Sequence, residues 1–220
     1  MHLISIIYYM ILEYLLIFCL KITSFIKRTP PAHWKNGTKG DVIIVPGFAE
    51  TWIYEEMIAS HLNKLGYRIH VIHELDFNFV PIQQATDIVS DYIKKYELTD
   101  VILLAHSKGG IIAKRAMDSL PEDRIQLIIT ISVPYHGTFW GYGHFLRLYE
   151  MQPGSNLIKS TLEHTKNNNK IYNFYSKIDN NVIPNTSAVL DGAYNMMIDV
   201  IGHTRILISP LILAALTNTT

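Results

Sequence analysis

The stretch VILLAHSKGG at positions 101–110 decides the fold. A run of apolar residues stops at Ser107, and small residues stand two positions before it, at Ala105, and two positions after it, at Gly109. The pattern predicts a buried strand, a sharp turn and a helix that begins near Gly109. Such a turn lifts the serine hydroxyl above the sheet and leaves the next backbone N–H able to bind an oxyanion. Because an ordinary strand-to-helix loop gives the same pattern, its interpretation depends on the motifs that accompany it.

Further motifs stand where a serine hydrolase needs them. VPGF at 45–48 follows the first predicted strand, and SVPYHGT at 132–138 follows a later one. Near the end of the chain, Asp179 precedes Gly202 and His203. Predicted strands alternate with predicted helices, which implies parallel pairing and a doubly wound sheet. Side chains that follow such strands meet at one edge of the sheet, where ligands bind.

Together these motifs resemble those of the α/β-hydrolase superfamily, and the match runs from about residue 41 to about residue 215. The Ala-x-Ser-x-Gly form and the short chain are most similar to small bacterial lipases that have little or no lid. The resemblance implies an α/β-hydrolase fold, a mostly parallel, doubly wound sheet of about six strands with flanking helices. At position 46 this chain has proline where the family commonly has histidine. The proline affects the conformation of the oxyanion loop but leaves its backbone N–H donor in place.

Ser107, His203 and Asp179 are the predicted catalytic triad. A serine hydroxyl is a weak nucleophile until a base accepts its proton, and His203 is the predicted base. Asp179 is the predicted acid, which holds the tautomer of the imidazole and stabilises the imidazolium. The backbone N–H groups of Phe48 and Lys108 are the predicted oxyanion donors. The Lys108 side chain is expected in solvent, with contact to an anionic head group as the alternative.

Two other aspartates compete with Asp179 for the role of the acid. Asp191 stands before a glycine, where aspartate is ordinary turn chemistry. Asp199 lies so close to His203 along a predicted strand that it cannot easily reach over the ring. Asp179 is favoured because it follows the strand predicted at 170–175.

Residues 139–165 interrupt the alternation of strands and helices and are rich in aromatic side chains. Phe139, Trp140 and Tyr142 are candidates for the wall of an acyl pocket, and the segment is a candidate for a small flap or cap. A packed surface helix is the alternative interpretation.

Composition and spacing argue against several other kinds of site. The 220 residues include 19 basic and 19 acidic side chains, and this balance gives no electrostatic footprint for nucleic acid. The one cysteine, Cys19, cannot form an intrachain disulfide. No glycine-rich phosphate loop or dinucleotide fingerprint is present, and His70 and His73 have no further ligand at metal-binding spacing. We therefore expect neither a metal nor an organic cofactor.

The apolar excess of the chain is concentrated at the N-terminus, where residues 3–20 contain a single charged side chain, Glu13. As a helix, these residues cover roughly 27 Å, close to the thickness of the hydrocarbon layer of a bilayer. The segment lacks the basic start and the small-residue cleavage site of a signal peptide. A membrane-anchor helix at 1–28 is therefore predicted, although a charge at mid-bilayer carries a cost. A helix lying in the membrane interface is the alternative.

The remainder divides into a linker at 29–40 and a catalytic domain at 41–220. Basic residues follow the apolar segment and none precedes it, which predicts a catalytic domain on the cytoplasmic side of the membrane. Three glycosylation sequons, at Asn36, Asn185 and Asn218, point the other way.

The sequence thus predicts a membrane-anchored serine hydrolase that cleaves carboxylic esters, with an acyl ester or a lipid as its substrate. An acyltransferase or a thioesterase would use the same triad and the same acyl-enzyme, so both stay open as alternatives. A third alternative is a catalytically inactive, membrane-tethered scaffold with a hydrolase fold. The intact Ser107, Asp179 and His203 argue against it.

Overall fold

A six-stranded sheet forms the centre of the computed structural model, which describes residues 3–143 and 148–217. The strands are β1 (Gly40–Val45), β2 (Tyr67–Val71), β3 (Val101–His106), β4 (Ile125–Ile131), β5 (Ile171–Ile178) and β6 (Tyr194–Ile201). Their order across the sheet is β2-β1-β3-β4-β5-β6, and every neighbouring pair is parallel. The predicted fold class, a mostly parallel, doubly wound α/β sheet of about six strands, is confirmed.

Six α-helices accompany the sheet in the described part of the chain. They are α1 (Leu3–Ile26), α2 (Glu56–Lys64), α3 (Ile82–Lys95), α4 (Lys108–Ser119), α5 (Asn156–Glu163) and α6 (Pro210–Thr217). Apolar side chains of α3 and α4 cover one face of the sheet, and those of α2 and α6 cover the other. Each face therefore has its own hydrophobic core.

β1 illustrates how one strand serves both cores. Ile43 and Val45 pack with α3 and α4, while Val42 and Ile44 pack with α2 and α6. Successive side chains of a strand point to opposite faces, so a strand covered by helices on both sides must be apolar throughout. The continuous apolar run that precedes Ser107 has the same origin.

Two element boundaries differ from prediction in ways that bear on the site. The sequence predicts a strand at 170–175, but β5 continues to Ile178, so that Asp179 follows its last residue directly. The sequence also predicts a final helix over 205–216, interrupted near Pro210. The structure has a short 3-10 turn at Arg205–Ile208, and α6 starts at the proline. Proline lacks a backbone N–H and therefore fits the first position of a helix better than its interior.

α1 is the one helix of the described residues that is long and apolar enough to cross a membrane. α1 and the two residues after it also contact loops that follow β1, β2 and β6, the last through Glu13 and Thr204. The hydroxyl group of Thr51, after β1, donates a hydrogen bond to the hydroxyl oxygen of Ser24 at 2.8 Å. Arg28 pairs with Asp76, after β2, at 2.6 Å. α1 therefore runs past the carboxyl ends of the strands, which is the edge where the predicted site lies.

The segment expected as a flap, 139–165, contains two short 3-10 turns followed by α5. Its residues 144–147 lie outside the described part of the chain, as does the sequon at 218–220. α5 buries Ile158, and the Ser155 hydroxyl oxygen accepts the Ile158 N–H at 3.2 Å as a helix cap. The division into anchor, linker, domain and flap stays a prediction.

The start of α4 passes very close to β1, and Gly109 makes this approach possible. A Cβ atom at this position would lie 2.0 Å from the carbonyl oxygen of Val45. Gly110 is equally confined, since its Cβ would lie 2.1 Å from Val133 Cγ2. The glycines after Ser107 are therefore required by helix-to-strand packing.

We expect Gly109→Ala to destabilise the fold, because the added methyl group would have to push α4 away from the β1 backbone. Overpacking of this kind costs about 1–3 kcal/mol, which thermal unfolding followed by circular dichroism would detect. Gly40→Ala is the matched control, since its Cβ would lie at an ordinary 3.4 Å from the Tyr67 ring. Equal thermal midpoints for the two variants would contradict this account of the turn.

Candidate active site

Ser107 occupies the turn between β3 and α4 in a backbone conformation that is rare for a residue with a side chain (φ 51°, ψ −124°). Its N–H donates to the carbonyl oxygen of Ile131 on the neighbouring strand β4, at 2.9 Å. Conformations of this kind persist only where the surroundings hold them, and they are frequent at active sites. The turn has the strand–turn–helix form of a nucleophile elbow.

Asp179 and His203 form a buried, hydrogen-bonded pair. His203 Nδ1 lies 2.9 Å from Asp179 Oδ2 and 3.0 Å from Oδ1. The same carboxylate accepts the backbone N–H groups of Asn181 at 2.8 Å and Val182 at 2.9 Å. Burial alone would raise the pKa of Asp179, but the His203 ring and these two N–H groups outweigh it, so the pKa lies below its ordinary value. The charged carboxylate can therefore orient the imidazole.

The backbone at His203 is fixed as well as its ring. The His203 N–H donates to the side-chain oxygen of Asn180 at 3.1 Å. The carbonyl oxygen of Gly202 accepts the Ser176 hydroxyl at 2.7 Å. Asn180 and Ser176 have no signal in the sequence, because neither belongs to a catalytic motif.

Ser107 and His203 line one cavity of about 320 Å³. The other residues of its wall come from α1, from the loops after the strands and from the segment after Thr138. They are Tyr14, Phe48, Glu50, Pro134, Thr138, Trp140, Leu148, Met151, Asn181 and Val182. Within the described residues no hydrogen bond joins the Ser107 hydroxyl to the His203 ring. Such contacts are often long without a substrate and tighten in the complex.

Only one of the three aromatic pocket candidates lines this cavity. Trp140 does so, and its Nε1 donates to the carbonyl oxygen of Asn180 at 3.1 Å. Phe139 and Tyr142 lie outside the cavity, are more than half exposed, and contact each other with ring centroids 5.8 Å apart. The difference from expectation follows from the 3-10 turn at this point, because residues three apart share one side of such a turn.

The predicted oxyanion donors belong to the two loops that flank the cavity. The Phe48 N–H has no acceptor among the described residues, and Phe48 itself lines the cavity. Its neighbour Gly47 donates its N–H to Glu50 Oε2 at 3.0 Å, which fixes the loop. Lys108 is the first residue of α4, and N–H groups of a first helical turn point out of the helix end.

The expectation that the Lys108 side chain is solvated is wrong. Only 3% of the residue is exposed, and Nζ donates to the carbonyl oxygens of Asn78 at 2.9 Å and Val80. The same ammonium group lies 5.8 Å from the centre of the Phe48 ring. Lys108 thus joins the loop after β2 to the elbow and to the proposed oxyanion loop.

A second buried pair, Glu50 with His106, was not predicted from the sequence. Glu50 Oε2 lies 2.7 Å from His106 Nδ1, and His106 Nε2 lies 3.3 Å from the carbonyl oxygen of His203. Burial alone would lower the pKa of His106, but Glu50 outweighs it and raises the pKa above its ordinary value. Burial likewise opposes ionisation of Glu50, yet His106 holds the pKa of that carboxyl below its ordinary value.

Glu50, His106 and His203 are also the described residues that could in principle hold a metal ion, since their ligand atoms lie within 4.8 Å of one another. These atoms already have partners. His106 is bonded at both ring nitrogens, and His203 Nδ1 faces Asp179. A metal would have to displace the Glu50–His106 bond, so the cluster suits a hydrogen-bond network better than a metal centre.

The competing acids lie elsewhere. Asp199 is on β6 with a largely exposed side chain, and it pairs with Lys177 at 2.9 Å. Asp191 lies in a turn, where its carbonyl oxygen accepts the Asn168 amide at 2.7 Å. Within the described residues neither carboxylate bonds to His203.

Comparisons with known proteins agree with this architecture. A family model described as a PGAP1-like alpha/beta domain matches residues 56–191, which include Ser107 and Asp179. A search of curated proteins gave no match.

Solved structures of lipases and other α/β-hydrolases have the same fold. Aspergillus fumigatus lipase B superimposes with a TM-score of 0.67 at 21% identity, covering 84% of this chain and 54% of the lipase. The chain therefore spans about half the length of that lipase. Bacillus licheniformis lipase BlEst2 superimposes with a TM-score of 0.61 at 19% identity, covering 87% and 94% of the two chains. An extracellular α/β-hydrolase from a Paenibacillus species gives 0.55 at 18% identity, covering 81% and 98%.

We expect Glu50→Gln to lose stability chiefly at mildly acidic pH. The lowered pKa of Glu50 stabilises the fold above the ordinary carboxyl value of 4.5, and this contribution is lost as the pH falls through the folded value. The raised pKa of His106 stabilises the fold below the ordinary imidazole value of 6.5, and this contribution is lost as the pH rises through the folded value. The difference in thermal midpoint from wild type should therefore be largest between about pH 4.5 and about pH 6.5.

Glu122→Gln serves as the control, because Glu122 pairs with Lys166 on the exposed surface, where ion pairs contribute little. Its thermal midpoint should follow that of wild type. A Glu50→Gln difference that is constant from pH 4 to pH 9 would contradict the assignment of Glu50 and His106 as a charged pair.

Proposed function

The chain belongs to the PGAP1-like α/β domain family, and we propose that it is a serine hydrolase that cleaves carboxylic esters through an acyl-enzyme. One observation carries the proposal. Ser107, in its strained turn, and His203, which is paired with Asp179, line a single cavity. The lipase-like fold agrees with this chemistry, although fold alone does not determine a reaction.

In the first half-reaction the Ser107 hydroxyl attacks the ester carbonyl while His203 Nε2 accepts its proton. The Asp179 carboxylate, 2.9 Å from Nδ1, stabilises the imidazolium that results. Negative charge develops on the carbonyl oxygen and is stabilised by the backbone N–H groups of Phe48 and Lys108. The imidazolium then protonates the leaving alcohol, and the acyl group stays on Ser107.

In the second half-reaction a water molecule attacks the acyl group on Ser107, and His203 accepts a proton from that water. The imidazolium returns the proton to the Ser107 oxygen as the carboxylic acid leaves. An alcohol in the place of water would give acyl transfer by the same steps, so the products made in the presence of an added alcohol distinguish the two reactions.

The cavity supports an acyl ester as the substrate. Leu148, Met151 and Val182 provide an apolar wall that suits an acyl chain. Tyr14 of α1 belongs to the same wall, so the cavity adjoins the long apolar helix α1. A lipid ester drawn from a membrane surface would therefore have a short path to Ser107.

We expect a fluorophosphonate probe to label the full-length protein in detergent at Ser107, since such probes react with activated serines. Ser107→Ala should abolish labelling, measured by in-gel fluorescence and by mass spectrometry of the labelled peptide. His203→Ala and Asp179→Asn should lower the labelling rate on the order of 10³-fold or more.

Asp199→Asn is the matched control for the acid, because it removes an exposed aspartate near the end of β6. Its labelling rate should stay within about twofold of wild type. Labelling that survives in Ser107→Ala, or a folded wild-type protein that is not labelled, would defeat the proposal. The second result would favour the inactive scaffold.

We also propose that α1 attaches the protein to a membrane. Its outward side presents apolar side chains, each about half exposed or more. They are Leu3, Ile4, Ile7, Ile11, Leu15, Phe18, Ile22, Phe25 and Ile26. An apolar surface of this size on a single helix suits the acyl-chain boundary of a lipid bilayer.

The contacts of α1 favour a helix that lies on the membrane over one that crosses it. Contacts with the catalytic domain run from Tyr9–Arg205 through Glu13–Thr204 and Ser24–Thr51 to Arg28–Asp76. Residues 3–8 extend beyond these contacts and measure roughly 9 Å, whereas a span needs about 30 Å. The interfacial alternative is therefore preferred to the spanning anchor.

We expect an N-terminal epitope tag and the catalytic domain to lie on the same side of sealed vesicles, because an interfacial helix does not cross the bilayer. Protease added outside should digest both or leave both intact. Digestion of only one of the two would contradict the interfacial helix. With the cytoplasmic face outward, digestion of both would agree with the predicted cytoplasmic location, and protection of both would contradict it.

A further inference from the structure

Glu13 is the one acidic residue of α1, and it is fully buried although residues close to it are exposed. Ile11, Tyr14 and Leu15 are each more than half exposed. In a helix that served only as an apolar anchor, a carboxylate would carry a cost without a benefit. The catalytic domain gives this carboxylate its partners.

The Glu13 carboxylate binds the turn that follows His203. Oε1 accepts the backbone N–H of Thr204 at 2.7 Å, and Oε2 accepts that of Arg205 at 2.9 Å. Hydrogen bonds to a charged acceptor are roughly twice as strong as neutral ones. Thr204 is 1% exposed, so water cannot replace the carboxylate unless this contact opens.

The turn is shaped to receive the carboxylate. A Cβ atom on Gly202 would lie 2.3 Å from Glu13 Oε2, so only glycine permits the approach. The positive φ of Gly202, 118°, is also a conformation that other residues rarely adopt. Gly202 therefore allows the Glu13 carboxylate of α1 to approach the turn, and it also allows the backbone to bend before His203.

Hydrogen bonds hold the turn at both of its ends. The His203 end is bonded to the catalytic domain, and the end at Thr204 and Arg205 is bonded to α1. Asn180 holds the His203 N–H, as described above. Beyond His203, Glu13 holds the next two N–H groups, and the Arg205 guanidinium lies 4.6 Å from the centre of the Tyr9 ring. Loss of the carboxylate would leave two N–H groups without their acceptors and would allow the turn to shift.

We propose that Glu13 is a positioning residue that holds the 202–205 turn so that His203 faces Ser107. The inference rests on the proposed role of His203 as the base. Glu13 acts through the turn and does not itself meet the ester. α1 therefore has two roles, contact with the membrane along its outer side and support of the catalytic histidine along its inner side.

The test uses the full chain in detergent with a water-soluble short-chain ester, so that membrane binding does not influence the rate. Glu13→Leu removes both bonds and makes α1 more apolar, whereas Glu13→Gln keeps the shape and one acceptor oxygen. We expect kcat of Glu13→Leu to fall about 10- to 100-fold, because a small misplacement of a catalytic group has effects of this size. KM of Glu13→Leu should stay within about twofold of the wild-type value. The kcat of Glu13→Gln should lie between those of wild type and Glu13→Leu.

Two controls separate positioning from docking of the helix. The double variant Lys27→Gln/Arg28→Gln removes the ion pairs that the two residues directly after α1 make with Glu56 and Asp76, and it should keep kcat within about twofold. Glu13→Leu combined with His203→Ala should be no slower than His203→Ala alone, because Glu13 acts through His203. A merely destabilising substitution would slow both backgrounds.

Amide hydrogen exchange gives a readout that does not depend on activity. The segment that contains Thr204 and Arg205 should exchange faster in Glu13→Leu than in wild type. Wild-type kcat in a folded Glu13→Leu protein, or in Glu13→Gln if the first variant does not fold, would overturn the inference, as would unchanged exchange. Fluorophosphonate labelling of wild-type Ser107 would then still support the proposed function. A wild-type protein without that labelling would overturn both.

Discussion

The backbone conformation at Ser107 is the constraint on which the rest of the structure depends. A residue with a side chain in this region of φ and ψ costs about 1–3 kcal/mol and must be held by its surroundings. Here β3 is buried between β1 and β4, and a β4 carbonyl oxygen fixes the Ser107 N–H. α4 begins at the next residue and is pressed onto β1 at Gly109. The parallel sheet and the packing of one helix thus fix the backbone of Ser107.

Two buried carboxylate–imidazole pairs connect the loops around this serine. Asp179 orients His203, and Glu50 bonds both to His106 and to the N–H of Gly47. His106 in turn approaches the carbonyl oxygen of His203. The loop of the proposed oxyanion donor Phe48, the turn at Ser107 and the loop of His203 are therefore linked by one network. Removing one member leaves a buried charge without its partner, which is far more costly than the net contribution of an intact pair.

Local patterns in the sequence predicted the sheet, the elbow and the residues proposed as the triad. The apolar runs and the small residues near Ser107 can be recognised from neighbouring positions alone, without knowledge of contacts between distant parts of the chain. The roles of Glu50 and Glu13 could not be predicted in this way, because their partners lie 56 and 191 residues away. Glu13 stands out in the sequence as a charged residue within an apolar run, but from the sequence alone we could infer only that a charge is unfavourable inside a bilayer. Its carboxylate is explained by a turn at the other end of the chain.

The most direct test of Ser107 as the nucleophile is to trap the acyl group on it. The full-length protein would be mixed with an ester, quenched in acid at short times, digested and analysed by mass spectrometry. The proposed mechanism predicts a peptide containing Ser107 that is heavier by the acyl group, formed no more slowly than the alcohol product. An adduct on another residue, or product release by a folded Ser107→Ala variant at the wild-type rate, would contradict it.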